Sequence, residues 1–116
     1  MPEIEKIQRQ TEDGIREVSI YRKNAGTGRF SVDEYVDMLC EFLEKEHTVL
    51  EVVHYEYLDN WLYEKSRTVY DPRDIHEMKE TDGPFRKAEA FFADDRKKYR
   101  FTYDRDRDDR LELESW

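Results

Sequence analysis

Apolar and polar residues alternate with a period of two along much of this chain, a pattern typical of half-buried β-strands. Near the N-terminus, Ile4–Gln10 and Ile15–Arg22 flank the sequence TEDG at residues 11–14. Because Asp-Gly favours the positive backbone angles of tight turns, the two segments predict a β-hairpin. The first arm also fits a helix, since Ile4 and Ile7 are three residues apart.

An amphipathic helix is predicted to begin after Ser31 and to extend to about His47. Ser31 and Glu34 have the spacing of a capping box, in which each side chain satisfies a free backbone amide of the first turn. Apolar residues then recur at helical spacing on one face. The opposite face carries four acidic residues: Asp33, Asp37, Glu41 and Glu44.

Residues 48–58 are rich in Val and Tyr and predict a further strand. Asp59-Asn60 is a plausible turn, after which Trp61–Tyr70 returns as the second arm of a hairpin. The alternative interpretation is a helix that continues through Trp61, since short apolar runs fit both structures.

The C-terminal part predicts two helices and two strands. Asp71-Pro72 begins a short helix to Glu80, and the spacing of Phe85, Ala88, Phe91 and Phe92 predicts a second main helix that ends near Lys97 and Lys98. Strict alternation then predicts one strand over residues 99–103 and a last one that includes Leu111 and Leu113.

These elements predict a single α+β domain over residues 1–116, with an antiparallel-rich sheet packed against two main helices. The order strand, helix, strand, strand, helix, strand over residues 15–104 matches a ferredoxin-like arrangement with added edge strands.

The composition is very polar: 42% of the residues are charged, and the mean hydropathy is -1.08. Aromatic residues make up 14%, which argues against a disordered chain. No apolar run is long enough to cross a membrane, and the N-terminus lacks the features of a signal peptide. The single cysteine suits a reducing compartment, so we expect a cytoplasmic protein.

The negative charge is concentrated in one stretch. Residues 31–64 hold ten acids and one base, Lys45. The net charge of this stretch is therefore -9, which equals the net charge of the whole chain. The remaining 19 bases and 19 acids balance. A protein with this charge distribution is poorly suited to binding the phosphate backbone of a nucleic acid directly, whereas its acidic region favours basic partners.

Two alternative chemistries follow from side chains outside the acidic region. His54, together with His76 and nearby carboxylates, would form a small-ligand or metal site in a protein with a minor enzymatic role. The aromatic residues of the sheet could instead stack RNA bases, although the residues typical of that recognition module are missing. Core packing or protein binding explains these rings better.

The leading hypothesis is a non-enzymatic interaction protein, of the inhibitor, immunity or anti-defence type. Carboxylates on one helix face stand about 5–6 Å apart, a spacing that can imitate a nucleic-acid backbone. We therefore expect the partner to be a basic protein, such as a nuclease or another nucleic-acid-binding protein. No cofactor, metal, membrane or direct nucleic-acid contact is expected, whereas burial of so many rings favours a homodimer. The candidate partner-binding residues are Asp33, Asp37, Glu41, Glu44, Glu51, Glu56, Tyr55, Tyr57 and Trp61.

Overall fold

The computed structural model of the protein describes residues 3–23, 28–43, 50–77 and 85–116. These residues form seven strands and one α-helix, together with short 3-10 segments at Pro72–Glu77 and Arg105–Arg107. In chain order the elements are β1 (Glu3–Thr11), β2 (Gly14–Arg22), α1 (Val32–Leu43), β3 (Leu50–Leu58), β4 (Trp61–Tyr70), β5 (Lys87–Ala93), β6 (Lys98–Asp104) and β7 (Arg110–Ser115).

All seven strands belong to one sheet with the order β1-β2-β7-β6-β5-β3-β4, and every neighbouring pair is antiparallel. The β1–β2 hairpin joins the rest of the sheet through a long-range pair, in which β2 lies against the last strand, β7. Two hairpins, β1–β2 and β3–β4, form its outer edges.

The predicted α+β domain with two main helices is wrong, and with it the ferredoxin-like arrangement. The segment predicted as the second helix contains β5, which lies between β3 and β6. Ala88, Ala90 and Phe92 alternate on its buried side, and Ala90 faces Val52 on one neighbour and Phe101 on the other. The helical spacing of the aromatic residues in this segment was coincidental, because it combined residues from both faces of a strand.

The short helix predicted up to Glu80 is a 3-10 helix over Pro72–Glu77, where Asp74 N donates a 2.8 Å hydrogen bond to the carbonyl of Asp71. Residues 78–84 lie outside the described part of the chain.

Both predicted hairpins are confirmed by the structure. In the first, Gly14 has a φ of 122°, which an L side chain rarely adopts. In the second, Asp59 and Asn60 have φ values of 49° and 69°, and two consecutive positive angles are the signature of a type I′ turn. This turn rules out the alternative of a helix through Trp61. The two predicted C-terminal strands are confirmed as β6 and β7.

Helix α1 is confirmed with its capping box. The Glu34 amide donates to Ser31 Oγ at 3.1 Å, and the Ser31 amide donates to Glu34 Oε1 at 3.1 Å. The predicted extension to His47 lies outside the described residues. With 12 residues α1 falls short of a bilayer, and no helix of the described segments combines the length and apolarity needed to cross one.

One face of the sheet is covered by α1, and the core lies between them. The Tyr35 ring stacks on Phe101 with centroids 4.7 Å apart, and its hydroxyl donates a 2.6 Å hydrogen bond to the Phe101 carbonyl. Phe42 meets the same ring edge-on at 5.1 Å. Many aromatic rings are thus buried within a single chain, whereas Tyr57, Trp61, Tyr63 and Trp116 remain exposed.

Candidate interaction surface

The solvent face of α1 presents an acidic stripe, formed by Asp33, Asp37 and Glu41, and all three residues are exposed. Glu44, predicted as its fourth member, lies outside the described residues. Glu34 is separate from the stripe, because its carboxylate lies 2.8 Å from the ammonium of Lys23. This contact lowers the pKa of Glu34 below its usual value. The stripe is thus the exposed acidic feature that the helical periodicity predicted.

The β3–β4 hairpin ends in an apolar tip, formed by Tyr57, Leu58, Trp61, Leu62 and Tyr63. Strand β5 pairs with β3 only up to Tyr55, so the tip extends beyond the neighbouring strand as a two-stranded ribbon. Trp61 is 79% exposed, and Leu58 is 63% exposed. Exposed aromatic and aliphatic groups that cluster in this way are typical of protein-binding sites.

The connection between β6 and β7 links the apolar tip to the beginning of α1. The Tyr57 hydroxyl donates a 3.0 Å hydrogen bond to Asp106 Oδ2, which raises the pKa of Tyr57. Two residues later, the Asp108 carbonyl accepts a 2.7 Å hydrogen bond from the amide of Phe30. Asp108 also forms an ion pair with Arg29. The apolar tip and the N-terminal end of the acidic stripe consequently lie at the same end of the strands, beside the β6–β7 connection.

Three of the predicted partner-binding residues, Glu51, Tyr55 and Tyr57, lie on the side of the sheet away from α1, and the first two pair with residues of neighbouring strands. Glu51 forms an ion pair with Arg67, which also contacts Glu64. Tyr55 is only partly exposed, and its hydroxyl is hydrogen-bonded to the carboxylate of Glu89. Desolvation and this carboxylate raise the pKa of Tyr55 to about 12. Both side chains are therefore engaged within the protein.

Glu56 and Trp61 are on the same side of the sheet as α1, whereas Tyr57 is on the opposite side of the ribbon. Glu56 Oε1 accepts a 3.1 Å hydrogen bond from the amide of Tyr57, and the side chain remains partly exposed. The predicted residues thus divide into an α1 group, a hairpin group and an internally paired group.

A cluster of buried charges on the face away from α1 was missed by sequence reasoning. Arg100 forms ion pairs with Glu89, at 3.3 Å, and with Glu114. Arg16 lies 3.6 Å from the other oxygen of Glu114, and its guanidinium stacks 3.9 Å above the ring of Trp116. Glu114 is 2% exposed and Glu89 is 6% exposed.

This ionic cluster balances two bases against two acids, so it is a structural network in which each charge compensates another. No local pattern could have revealed it. Arg100, Glu112 and Glu114 occupy alternating polar positions of their strands, which from sequence alone indicate a face in contact with solvent.

The alternative ligand site has no accessible histidine among the described side chains. His54 is 1% exposed, its Nδ1 lies 3.3 Å from Ser66 Oγ, and its ring stacks on Phe85 at 4.3 Å. The side chain of His76 is outside the described set. In the described segments, no group of three or more His, Cys, Asp or Glu side chains is arranged to hold a metal ion.

Two of the three aromatic rings of β6 are also inaccessible to nucleic-acid bases. Phe101 is fully buried and Tyr103 is 4% exposed, both in the core beneath α1. Core packing therefore accounts for these two rings.

We compared the chain with protein-family models, with curated proteins and with solved structures. None of the three comparisons returned a match.

Proposed function

We propose that this protein is a non-enzymatic, cytoplasmic interaction protein that binds a basic surface of another protein. The acidic stripe of α1 supplies the electrostatic contact, and the apolar tip of the β3–β4 hairpin supplies the anchor. The partner we propose is a nuclease or another nucleic-acid-binding protein, whose basic groove the carboxylates would occupy in place of nucleic acid.

The observation that carries this proposal is the bridge formed by the β6–β7 connection. Asp106 accepts a hydrogen bond from the Tyr57 hydroxyl, and the Asp108 carbonyl accepts one from the amide of Phe30, two residues before α1 begins. The two candidate contact regions therefore lie at the same end of the strands. A partner that docks at this end of the strands can contact both regions at once. Charge alone would give steering without a defined docking position, and the apolar tip provides that position.

The interaction we propose has two energetic parts. The acidic stripe accelerates encounter with a basic partner, and its contribution decreases as salt screens the charges. The tip residues are exposed in the free protein, so their burial on binding removes apolar surface from water. Trp and Tyr are among the residues that most often dominate the binding energy of an interface.

The proposed surface is smaller than the set of residues predicted from sequence. It includes Asp33, Asp37 and Glu41 on the helix, and Glu56 with the tip residues on the hairpin. Glu51 and Tyr55 are left out because each is engaged with an internal partner on the opposite face.

The test uses two variants with the same change in net charge. In the stripe variant, Asp33→Asn, Asp37→Asn and Glu41→Gln remove three exposed negative charges. The matched control, Glu12→Gln, Asp13→Asn and Asp95→Asn, removes three exposed charges elsewhere on the chain. Both sets keep the side-chain shapes, and thermal unfolding verifies that each variant is folded.

Wild type and both variants are then used as bait in a cell lysate at low salt, with elution by a salt gradient and identification by mass spectrometry. We expect basic nucleic-acid-binding proteins to be retained by wild type and the control variant and lost with the stripe variant. For a purified partner, the stripe variant should bind at least about tenfold more weakly and with a shallower salt dependence. Equal retention by all three baits would contradict the proposal.

A further inference from the structure

Strand β1 forms a regular, uninterrupted edge of the sheet. All nine of its residues pair with β2 without a register shift. Strand β4, at the other edge, is different, because its register with β3 shifts between His54 and Tyr55. Bulges and twists of that kind protect an edge strand from pairing with another chain, and β1 lacks them.

The charges along β1 are arranged symmetrically about Ile7. Glu5 precedes Ile7 by two residues and Arg9 follows it by two, so all three side chains are on the same face of the sheet. Within the chain, Glu5 forms an ion pair with Arg22, and Arg9 Nη2 lies 3.6 Å from Glu112. Ile7 itself is 36% exposed.

We propose that two copies of this chain associate through β1, in antiparallel pairing about a two-fold axis at Ile7. In this register Ile7 faces Ile7 of the second copy. Glu5 faces Arg9 of the second copy, and the symmetry creates this contact twice. The two sheets then join into one continuous antiparallel sheet of fourteen strands.

The pairing satisfies the backbone groups that β1 directs away from β2 and extends the charge pattern of its face. Across the junction Glu5, which pairs with Arg22 in its own copy, faces Arg9 of the second copy. That Arg9 lies opposite Arg16 on β2 and forms its ion pair with Glu112 on β7. Cross-strand pairs of opposite charge stabilise a sheet, whereas like charges directly opposite destabilise it.

Three other symmetric registers place like charges against each other. An axis at Lys6 opposes two ammonium groups, an axis at Glu5 opposes two carboxylates, and an axis at Arg9 opposes two guanidinium groups. An axis at Gln8 places Ile7 against Arg9 and separates Glu5 from Arg9. The axis at Ile7 is therefore the register in which the Glu5 and Arg9 charges complement each other.

The proposed dimer leaves the candidate interaction surface accessible. Strand β1 is at one edge of the sheet, and the β3–β4 hairpin that carries the apolar tip is at the other. The inference is independent of the proposed function, because either can fail without the other.

The first experiment measures the mass of the native chain and of charge variants by sedimentation equilibrium. We expect wild type to be a dimer and Glu5→Arg or Arg9→Glu alone to weaken dimerisation at least about tenfold. A mixture of the two single variants should recover association, because each Arg then faces a Glu. Glu12→Arg, in the exposed turn of the same hairpin, is the control and should remain dimeric.

The second experiment tests the register in an otherwise native chain by mild oxidation. Ile7→Cys places two thiols opposite each other on the axis, so it should form a disulfide-linked dimer rapidly. Gln10→Cys in the same strand should not, because its two copies would be about 20 Å apart along the strands. Wild type, with Cys40 alone, gives the background of cross-linking.

A monomeric wild type at high micromolar concentration would overturn the proposal. So would a dimer that both charge reversals leave intact, since it would then form through another surface. Equal cross-linking at positions 7 and 10 would overturn the register.

Discussion

The two faces of the sheet bury their side chains by different means. Beneath α1 the buried groups are aromatic and aliphatic, with Tyr35, Leu39 and Phe101 all 0% exposed. On the opposite face Val18 and Val53 are also buried, but Glu89 and Glu114 are buried among them. Both acids are compensated by Arg100.

Buried side chains on the two faces therefore contribute to stability in two different ways. On the covered face each side chain contributes through the apolar area that it removes from water, so the loss of a ring leaves a cavity. On the other face the contribution of each charge depends on its neighbours, so the loss of one partner leaves a buried, uncompensated charge. Loss of a single buried side chain should therefore destabilise either face. Joint replacement of all interacting side chains by apolar residues should restore stability only where the buried groups are charged.

The largest effect is expected for Phe101→Ala, on the covered face. The substitution removes a fully buried ring that contacts Tyr35 and Phe42, and it should lower the free energy of unfolding by about 3–5 kcal/mol. Urea denaturation measures this loss. The exposed Tyr63→Ala provides the comparison and should cost less than about 1 kcal/mol. Similar losses for the two variants would contradict the assignment of Phe101 to the core.

The second-largest loss of stability is expected for Arg100→Met, in the ionic cluster. It leaves Glu89 and Glu114 without their shared cation and should cost about 2–3 kcal/mol. This is less than for a fully buried pair, because the Arg100 side chain is 31% exposed. The free energy of unfolding is again measured in urea.

The quadruple variant Arg16→Met, Arg100→Met, Glu89→Leu, Glu114→Leu tests whether the charges of the ionic cluster only compensate one another. Because it removes both acids together with both bases, it should recover most of the stability lost by Arg100→Met alone. A quadruple variant that is less stable than Arg100→Met would show that the cluster is more than a set of compensating charges.

A smaller effect is expected for Tyr55→Phe, which removes the hydroxyl bonded to Glu89. At neutral pH the loss should be about 1 kcal/mol. The pKa of Tyr55 is raised from 10.0 to about 12, so the folded state holds the phenolic proton more tightly than the unfolded chain does. This contribution is complete below pH 10 and is lost as the pH rises through about 12.

Denaturation of wild type and Tyr55→Phe at several pH values between 9 and about 12 tests this dependence. The wild-type advantage should shrink as the pH rises, and the two stability curves should converge. A constant difference across this range would mean that the Tyr55 proton does not contribute to stability.

The smallest effect on stability is expected for Trp61→Ala, at the apolar tip. Because Trp61 is 79% exposed, the free energy of unfolding should change by no more than about 0.5 kcal/mol. Binding to the proposed partner should nevertheless fall by about tenfold or more. Val69→Ala is the control, since Val69 is 63% exposed on the same strand but outside the tip, and titration calorimetry compares the two variants. Equal affinities for the two variants would exclude the tip as an anchor.

The failed helix prediction for residues 85–98 shows where local patterns become ambiguous. Phe85, Ala88 and Phe91 recur every three residues, whereas Ala88, Ala90 and Phe92 recur every two. Both patterns are present in the same stretch, so periodicity alone does not separate helix from strand. The neighbouring strands β3 and β6 decide the outcome, because they supply hydrogen-bond partners on both sides of β5.

The candidate surface was predictable only in part, because local periodicity determines one group of its residues and contacts between strands determine the other. The acidic stripe follows from helical spacing, which places Asp33, Asp37 and Glu41 on one side of α1 whatever the sheet does. The separation of Glu51 and Tyr55 from that stripe depends on which face of the sheet α1 covers, and their internal partners Arg67 and Glu89 come from other strands.

Several local features of this protein followed from short-range signals in the sequence. A capping box specified the start of α1, Asp-Gly and Asp59-Asn60 specified two turns, and strict alternation specified β6 and β7. Each of these signals acts through hydrogen bonds or steric limits among residues a few positions apart.

Three features followed from the folded sheet alone: β2 lies against β7, residues 87–93 form a strand, and Glu89 and Glu114 are buried beside Arg100. These features arise from contacts between residues far apart in the chain. Their energies depend on which side chains the folded sheet brings together, and no local pattern encodes that information.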